Sequence, residues 1–96
     1  MKRALVQFFN TDFEGAITGF RKALEISPDL AEAYKYLGVC YVETGRLDEA
    51  LASYRKGLEI APRDAELHYF LGLAHLRRGE TQETVREYQE ALRIAP

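Results

Sequence analysis

Apolar positions recur at helical spacing in six stretches, separated by short breaks marked by polar residues, glycine or proline. Ala4, Leu5, Val6, Phe8 and Phe9 suffice for a short helix within residues 1–10. Phe13, Ala16, Ile17, Phe20, Ala23, Leu24 and Ile26 predict an amphipathic second helix. Asn10, Thr11 and Asp12 offer capping side chains in front of it. Ser27-Pro28 ends it, because proline has no N–H to continue the hydrogen-bond ladder. Asp29 with Glu32 three residues on makes an acidic variant of the capping box for a third helix. That helix runs to about Thr44, where Gly45 suits a left-handed C-terminal cap. A fourth helix spans about Leu47 to Ile60, ahead of Ala61-Pro62; Asp64 opens a fifth, Gly79 closes it, and Thr81 is placed to cap a sixth. No connection needs more than about four residues, as antiparallel neighbours require.

The third helix carries two apolar stripes, Tyr34, Leu37, Gly38 and Tyr41 on one and Tyr36, Val39 and Val42 on the other. A helix apolar on several sides lies between neighbours, or between neighbours and a ligand. Gly15, Gly19, Gly38 and Gly72 fall inside predicted helices, where each is unfavourable by about 1 kcal/mol against alanine. A helix backbone approaching where Cβ is missing is the expected compensation at Gly38 and Gly72.

The pattern repeats every 34 residues. Residues 29–62 laid on 63–96 match at 11 positions, including Leu37/Leu71, Gly38/Gly72, Gly45/Gly79, Tyr54/Tyr88 and Pro62/Pro96. Residues 1–28 laid on 35–62 match at seven, among them Ala16/Ala50, Leu24/Leu58, Ile26/Ile60 and Pro28/Pro62. A fixed period of this length marks a helical repeat array. The chain reads as one domain, 1–96, made of an incomplete first unit (1–28) and two whole ones (29–62 and 63–96). The missing opening leads to the expectation of an excised segment of a longer array or multidomain protein.

These residues resemble the tetratricopeptide repeat. The middle unit supplies Tyr34, Leu37, Gly38, Tyr41, Ala50, Tyr54 and Pro62 of that family's pattern; the last supplies Leu71, Gly72, Tyr88, Ala91 and Pro96. The last unit departs with His68 and His75 at two aromatic places and Thr84 at a small one, while the first keeps Ala16, Phe20, Ala23 and Pro28. The resemblance implies an all-α fold: a right-handed superhelix of stacked antiparallel helix pairs, with first helices lining a concave surface. It also implies a scaffold that holds a peptide or partner helix in that groove.

On the family's geometry the groove stripe is Leu5, Phe8 and Phe9; then Glu32, Lys35, Tyr36, Val39, Val42 and Glu43; then Glu66, Tyr69, Phe70, Leu73, Leu76 and Arg77. The places where one subfamily clamps a C-terminal carboxylate hold Leu5, Tyr36, Val39, Glu66 and Phe70, so no such clamp is expected. An apolar and aromatic stripe flanked by a few charges suits a peptide with apolar anchors. Without a polar covering helix after the last unit, Tyr88, Leu92 and Ile94 form a candidate self-association surface, giving a homodimer as the rival reading. A regulatory segment of a larger enzyme is a further alternative.

Composition narrows the chemistry. Thirteen basic and fifteen acidic side chains intersperse to a net charge of −2, unlike a nucleic-acid or membrane-surface footprint. A sister repeat family that reads RNA lacks the Leu-Gly and closing proline found here, so no nucleic-acid partner is expected. No apolar run approaches the roughly 20 residues of a membrane span, and no signal peptide is evident. Cys40 is the lone cysteine, which excludes an internal disulfide and fits a reducing, cytoplasmic compartment. His68 and His75 lie on the order of 10 Å apart along a helix, too far to share a metal. Glu80, Glu83, Glu87 and Glu90, interleaved with Arg86 and Arg93, read as a solvated face. With no phosphate loop, metal spacing or nucleophile motif, neither an enzyme nor a cofactor is expected.

Overall fold

The computed structural model describes all 96 residues, with six helices joined by short turns: α1 (Lys2–Phe9), α2 (Phe13–Ile26), α3 (Ala31–Glu43), α4 (Leu47–Ile60), α5 (Ala65–Arg77) and α6 (Thr81–Ile94). Consecutive helices pack as neighbours throughout, and α3 also touches α5 across the intervening α4. The molecule measures 35 × 24 × 19 Å. No helix is long and apolar enough to cross a membrane.

Three hairpin turns share one backbone device. After α3, Gly45 N–H donates to the Val42 carbonyl (3.1 Å) and Arg46 N–H to that of Tyr41 (2.7 Å), with Gly45 at φ +77°. After α5, Gly79 and Glu80 repeat the pattern onto Leu76 and His75, with Gly79 at φ +80°. This is the Schellman arrangement, which satisfies the last carbonyls of a helix through a left-handed residue. After α1 the same bonds run from Thr11 to Phe8 and from Asp12 to Gln7, but the left-handed residue is Thr11, at φ +62°. Sequence reading placed Thr11 among the capping residues of α2. The N-cap is Asp12, whose carboxylate accepts from Gly15 N–H at 3.1 Å.

Asp64 caps α5 as expected, accepting from Leu67 N–H at 3.2 Å. Two expected caps do not form. The N-cap of α3 is Leu30 and no side chain caps it, so Asp29 stands outside the helix. Thr81 is the first residue of α6 rather than its cap; Glu80 holds that position without a side-chain bond.

The helix-interior glycines are close-approach sites. A Cβ on Gly72 would lie 2.7 Å from a Tyr88 ring carbon, and one on Gly38 would strike the Tyr54 ring. The compensating neighbour is therefore a tyrosine ring of the partner helix, not its backbone. In the first pair the same register holds Ala4, and the missing Cβ has moved to Gly19, where one would come within 2.7 Å of the Ala4 methyl. A Cβ on Gly15 would collide with the Asp12 carboxylate and lie 2.6 Å from the Gln7 side-chain nitrogen.

The core runs the length of the stack through Ala16, Ile17 and Phe20 of α2, Ala33, Leu37, Cys40 and Tyr41 of α3, Ala50, Leu51 and Tyr54 of α4, and Leu67, Leu71 and Ala74 of α5. Leu67 is fully buried where α4 carries Gly57: a Cβ on that glycine would be 3.0 Å from Leu67 Cδ1. Lys35 of α3 ties the N-terminus of α5 down, with Nζ 3.0 Å from Asp64 and 2.8 Å from Glu66. Burial alone lowers the lysine's pKa, but Glu66 and Asp64 outweigh it and the net shift is upward, so the ammonium stays charged.

A β-branched residue held in the left-handed region costs about 1–2 kcal/mol. Thr11→Gly relieves that strain against a smaller loss of chain rigidity in the unfolded state, and should stabilise the protein by about 1 kcal/mol. Urea unfolding monitored by circular dichroism measures this. Destabilisation of that size would show that the Thr11 hydroxyl's bond to the Asn10 carbonyl (2.6 Å) outweighs the strain.

Candidate functional site

An aromatic pair recurs at every junction between helix pairs. Phe20 of α2 stacks on Tyr36 of α3 at 5.7 Å and 10°, and one period later Tyr54 of α4 stacks on Phe70 of α5 at 5.9 Å and 16°. Tyr36 is held further by Phe8, edge-on at 5.1 Å. Phe8 also meets Phe13 at 5.9 Å, so it knits α1, α2 and α3 together rather than facing a groove.

Beside the second stack lies an open cleft between α3 and α5. Val39, Val42 and Glu43 line one side, Phe70, Leu73, Ala74 and Arg77 the other, and buried Tyr54 lines it from α4; it measures about 130 Å³. Val39 and Glu43 sit one turn apart on α3, and their counterparts one period on, Leu73 and Arg77, do the same on α5. Val39, Val42 and Phe70 are half-buried and lean on the core, whereas Leu73 is half-buried without packing against it. Burial raises the Tyr54 phenol's pKa; Cys40 and Glu43 add to the shift and Arg77 opposes it. Glu43 and Arg77 are exposed, and neither takes part in any ion pair of the chain.

Six of the fifteen stripe residues thus meet in one cleft: Val39, Val42, Glu43, Phe70, Leu73 and Arg77. The others do not join them. Leu5 and Phe8 are half-buried packing residues, and Phe9, 70% exposed, touches Phe8 edge-on. Tyr36 is engaged by the two phenylalanines. The Lys35 side chain, 11% exposed, is occupied by Asp64 and Glu66 instead of standing free beside the groove. Glu32 and Leu76 are exposed outside the cleft lining. Glu66 and Tyr69 line a different pocket. Tyr54 and Ala74 line the cleft although sequence reasoning left them out. Ala74 sits one turn beyond Phe70, a spacing that could have flagged it; Tyr54 gives no such signal, since it comes from the other helix layer.

The different pocket opens on the outer face of the α5–α6 pair. It holds about 430 Å³ and is lined by Ala65, Glu66, Tyr69, Tyr88, Ala91, Leu92 and Ala95. Tyr88 and Leu92 of the expected self-association surface belong to it; Ile94 is half-buried and does not line it. One period earlier, Tyr54 receives Phe70 from the following helix pair. Here Tyr88 receives Tyr69 of its own pair instead, stacked at 5.5 Å and 23°. Tyr69 stands at the register of Lys35, so one exchange removes an ion-pair donor and supplies a covering ring.

The architecture defines a stack of helical hairpins with an open cleft between two successive first helices. The chain belongs to the tetratricopeptide-repeat family. Models described as "TPR repeat" match residues 12–45 and 40–79, and one described as "Tetratricopeptide repeat" matches 65–96. Among solved structures, "Crystal structure of MamA" is 27% identical, covers 95% of this chain and 53% of that one, and has a TM-score of 0.91. "Crystal structure of MamA protein" is likewise 27% identical, over 95% of this chain and 50% of that one, with a TM-score of 0.89. "MamA MSR-1 C2", at 22% identity over 95% and 52% of the two chains and a TM-score of 0.90, shares the fold. The chain spans about half the length of these relatives. No curated protein sequence matches it.

The remaining polar groups are structural in their contacts. Burial pushes the Cys40 thiol up to about 11, which keeps it protonated. No group of three or more His, Cys, Asp or Glu side chains converges as a metal site would. His75 Nδ1 meets Glu80 at 2.9 Å. His68 places Nδ1 2.7 Å from Glu87 and Nε2 3.0 Å from the Pro62 carbonyl. Both partners accept, so both nitrogens bond only when each carries a proton, and that is the imidazolium. Burial lowers the His68 pKa, but the bonds to Glu87 and Pro62 outweigh it and leave it above the ordinary 6.5. A histidine raised in the folded state contributes stability that is complete below its unfolded pKa and is lost as pH rises through the folded value. Thermal midpoints should therefore fall as pH rises past the unfolded value of about 6.5 and through the higher folded one. His68→Gln should flatten that slope; an equal slope in the variant would assign the titration to another group.

Proposed function

We propose that this chain is a protein-interaction scaffold, with a repeat division at 1–28, 29–62 and 63–96, that binds a peptide or partner helix in the cleft between α3 and α5. One observation carries the reading. After the helix pairs have packed, Val39, Val42, Phe70 and Leu73 still line an open cleft rather than being enclosed by the chain's own side chains. Apolar side chains in a concavity with a polar rim are the usual form of a peptide anchor site. Binding, not catalysis, is the chemistry such a lining offers, since the only ionisable groups at the cleft are Glu43, Arg77 and a phenol whose burial disfavours ionisation. The wider stripe contributes less than the family geometry implies, because Lys35, Tyr36 and Phe8 are committed to contacts within the chain.

A second reading rests on the outer pocket of the α5–α6 pair. An apolar pocket of about 430 Å³ with Leu92 63% exposed at it supports association of one copy with another. Meeting of this face on two copies gives the homodimer expected from the sequence.

Two measurements separate the readings. Leu73→Ser should weaken a bound peptide about 30-fold, the scale of losing an interface anchor, while far-ultraviolet circular dichroism stays unchanged because Leu73 lies outside the core. Amide shift changes on titration should centre on Val39, Val42, Phe70 and Leu73; changes confined to α4 and α6 would move the site elsewhere. Light scattering across protein concentration should show a rising mass only if copies associate, and Leu92→Glu should then restore the monomer.

A further inference from the structure

The cleft between α3 and α5 has a size and a charge arrangement that specify more than apolar affinity. Its volume is about 130 Å³. A closed apolar cavity of about 150 Å³ accommodates one benzene molecule, so this cleft has room for one aliphatic side chain of leucine, isoleucine or methionine size. Its two rims carry opposite charges at the same repeat position: Glu43 on α3 and, one period later, Arg77 on α5. Other charges bridging successive helix pairs are engaged within the chain, as in Lys35 with Asp64 and Glu66, or Arg46 with Glu14. Glu43 and Arg77 are left for a partner.

Adjacent helix axes lie roughly 8–10 Å apart. In an extended peptide the residues two before and two after an anchor point the same way as the anchor and are separated by about 13 Å. A separation of that order carries one flanking residue toward α3 and the other toward α5 when the anchor sits between them. We infer, on the footing of the proposed groove, that the cleft binds an extended peptide segment with a leucine-sized aliphatic residue flanked at i−2 and i+2 by opposite charges. Its basic side chain meets Glu43 and its acidic side chain meets Arg77. Either chain direction satisfies the pairing; two like flanking charges do not. Exposed pairs of this kind contribute about two- to five-fold each, so they set sequence preference while the aliphatic anchor sets affinity.

The test is selection of nine-residue peptides from a displayed random library on the whole chain and on three variants, Leu73→Ser, Glu43→Arg and Arg77→Glu, each checked by circular dichroism. The wild type should enrich an aliphatic residue with opposite charges at i−2 and i+2. Glu43→Arg should shift the enriched sequences to acidic residues on both sides, and Arg77→Glu to basic residues on both sides. Enrichment that needs Leu73 but keeps the same flanking residues in both charge variants would overturn this inference and leave the groove reading standing. No enrichment above the Leu73→Ser background would overturn both.

Discussion

The ring of Tyr54 occupies the space that a Cβ on Gly38 would need, and this contact sets how closely α4 can lie against α3. Replacing the glycine with alanine would return about 1 kcal/mol of helix propensity. Overpacking against a ring buried to 1% exposure costs typically 1–3 kcal/mol, so packing prevails. The same ring presents a face to Phe70, which fixes how the next helix pair seats, and it also lines the cleft between α3 and α5. One buried side chain thus couples the closure of a hairpin, the stacking of two hairpins and the lining of the candidate site.

The departures from strict repetition are as physical as the repeats. Where the first pair has Ala4 in the register of Gly38, Gly19 supplies the missing volume from the opposite helix. Close approach requires that one of two facing positions lack a Cβ, and it is indifferent to which. Turn geometry is less forgiving, so Thr11 adopts the left-handed conformation that glycine takes in the other two hairpins. Tyr69 in place of Lys35 changes the outer face of the last pair, covering Tyr88 from within the pair while leaving an apolar pocket beside it.

Charge is divided between holding the stack and facing outward. Lys35, nearly buried between Asp64 and Glu66, joins α3 to the start of α5, and Asp64 serves at once as helix cap and ion-pair partner. The Lys35–Asp64 pair, with both side chains mostly covered, is screened by salt less than an exposed one. His68 bridges α6 and the loop before α5 through Glu87 and Pro62. With these groups engaged, the rim of the cleft keeps only Glu43 and Arg77 as charges outside any ion pair of the chain.

The six helices, their order and most of their ends were legible in the sequence, because hydrophobic spacing, proline stops and left-handed glycines act over a few residues. The period of 34 implies a stacked helical array, and the residues recurring at it, Leu37/Leu71, Gly38/Gly72 and Pro62/Pro96 among them, carry the resemblance to the family. Two caps were misplaced: Asp29 and Thr81 have capping chemistry, but the backbone enters α3 and α6 at Leu30 and Glu80. The groove was only partly legible. Residues on one helical stripe are alike in sequence, yet Tyr36 meets Phe8 and Phe20, Lys35 meets two carboxylates, and Tyr69 turns to Tyr88. Which side chains remain available is decided by neighbours a helix or a whole repeat away. Local pattern fixes the face on which a residue lies; only packing between hairpins determines whether that face is already filled.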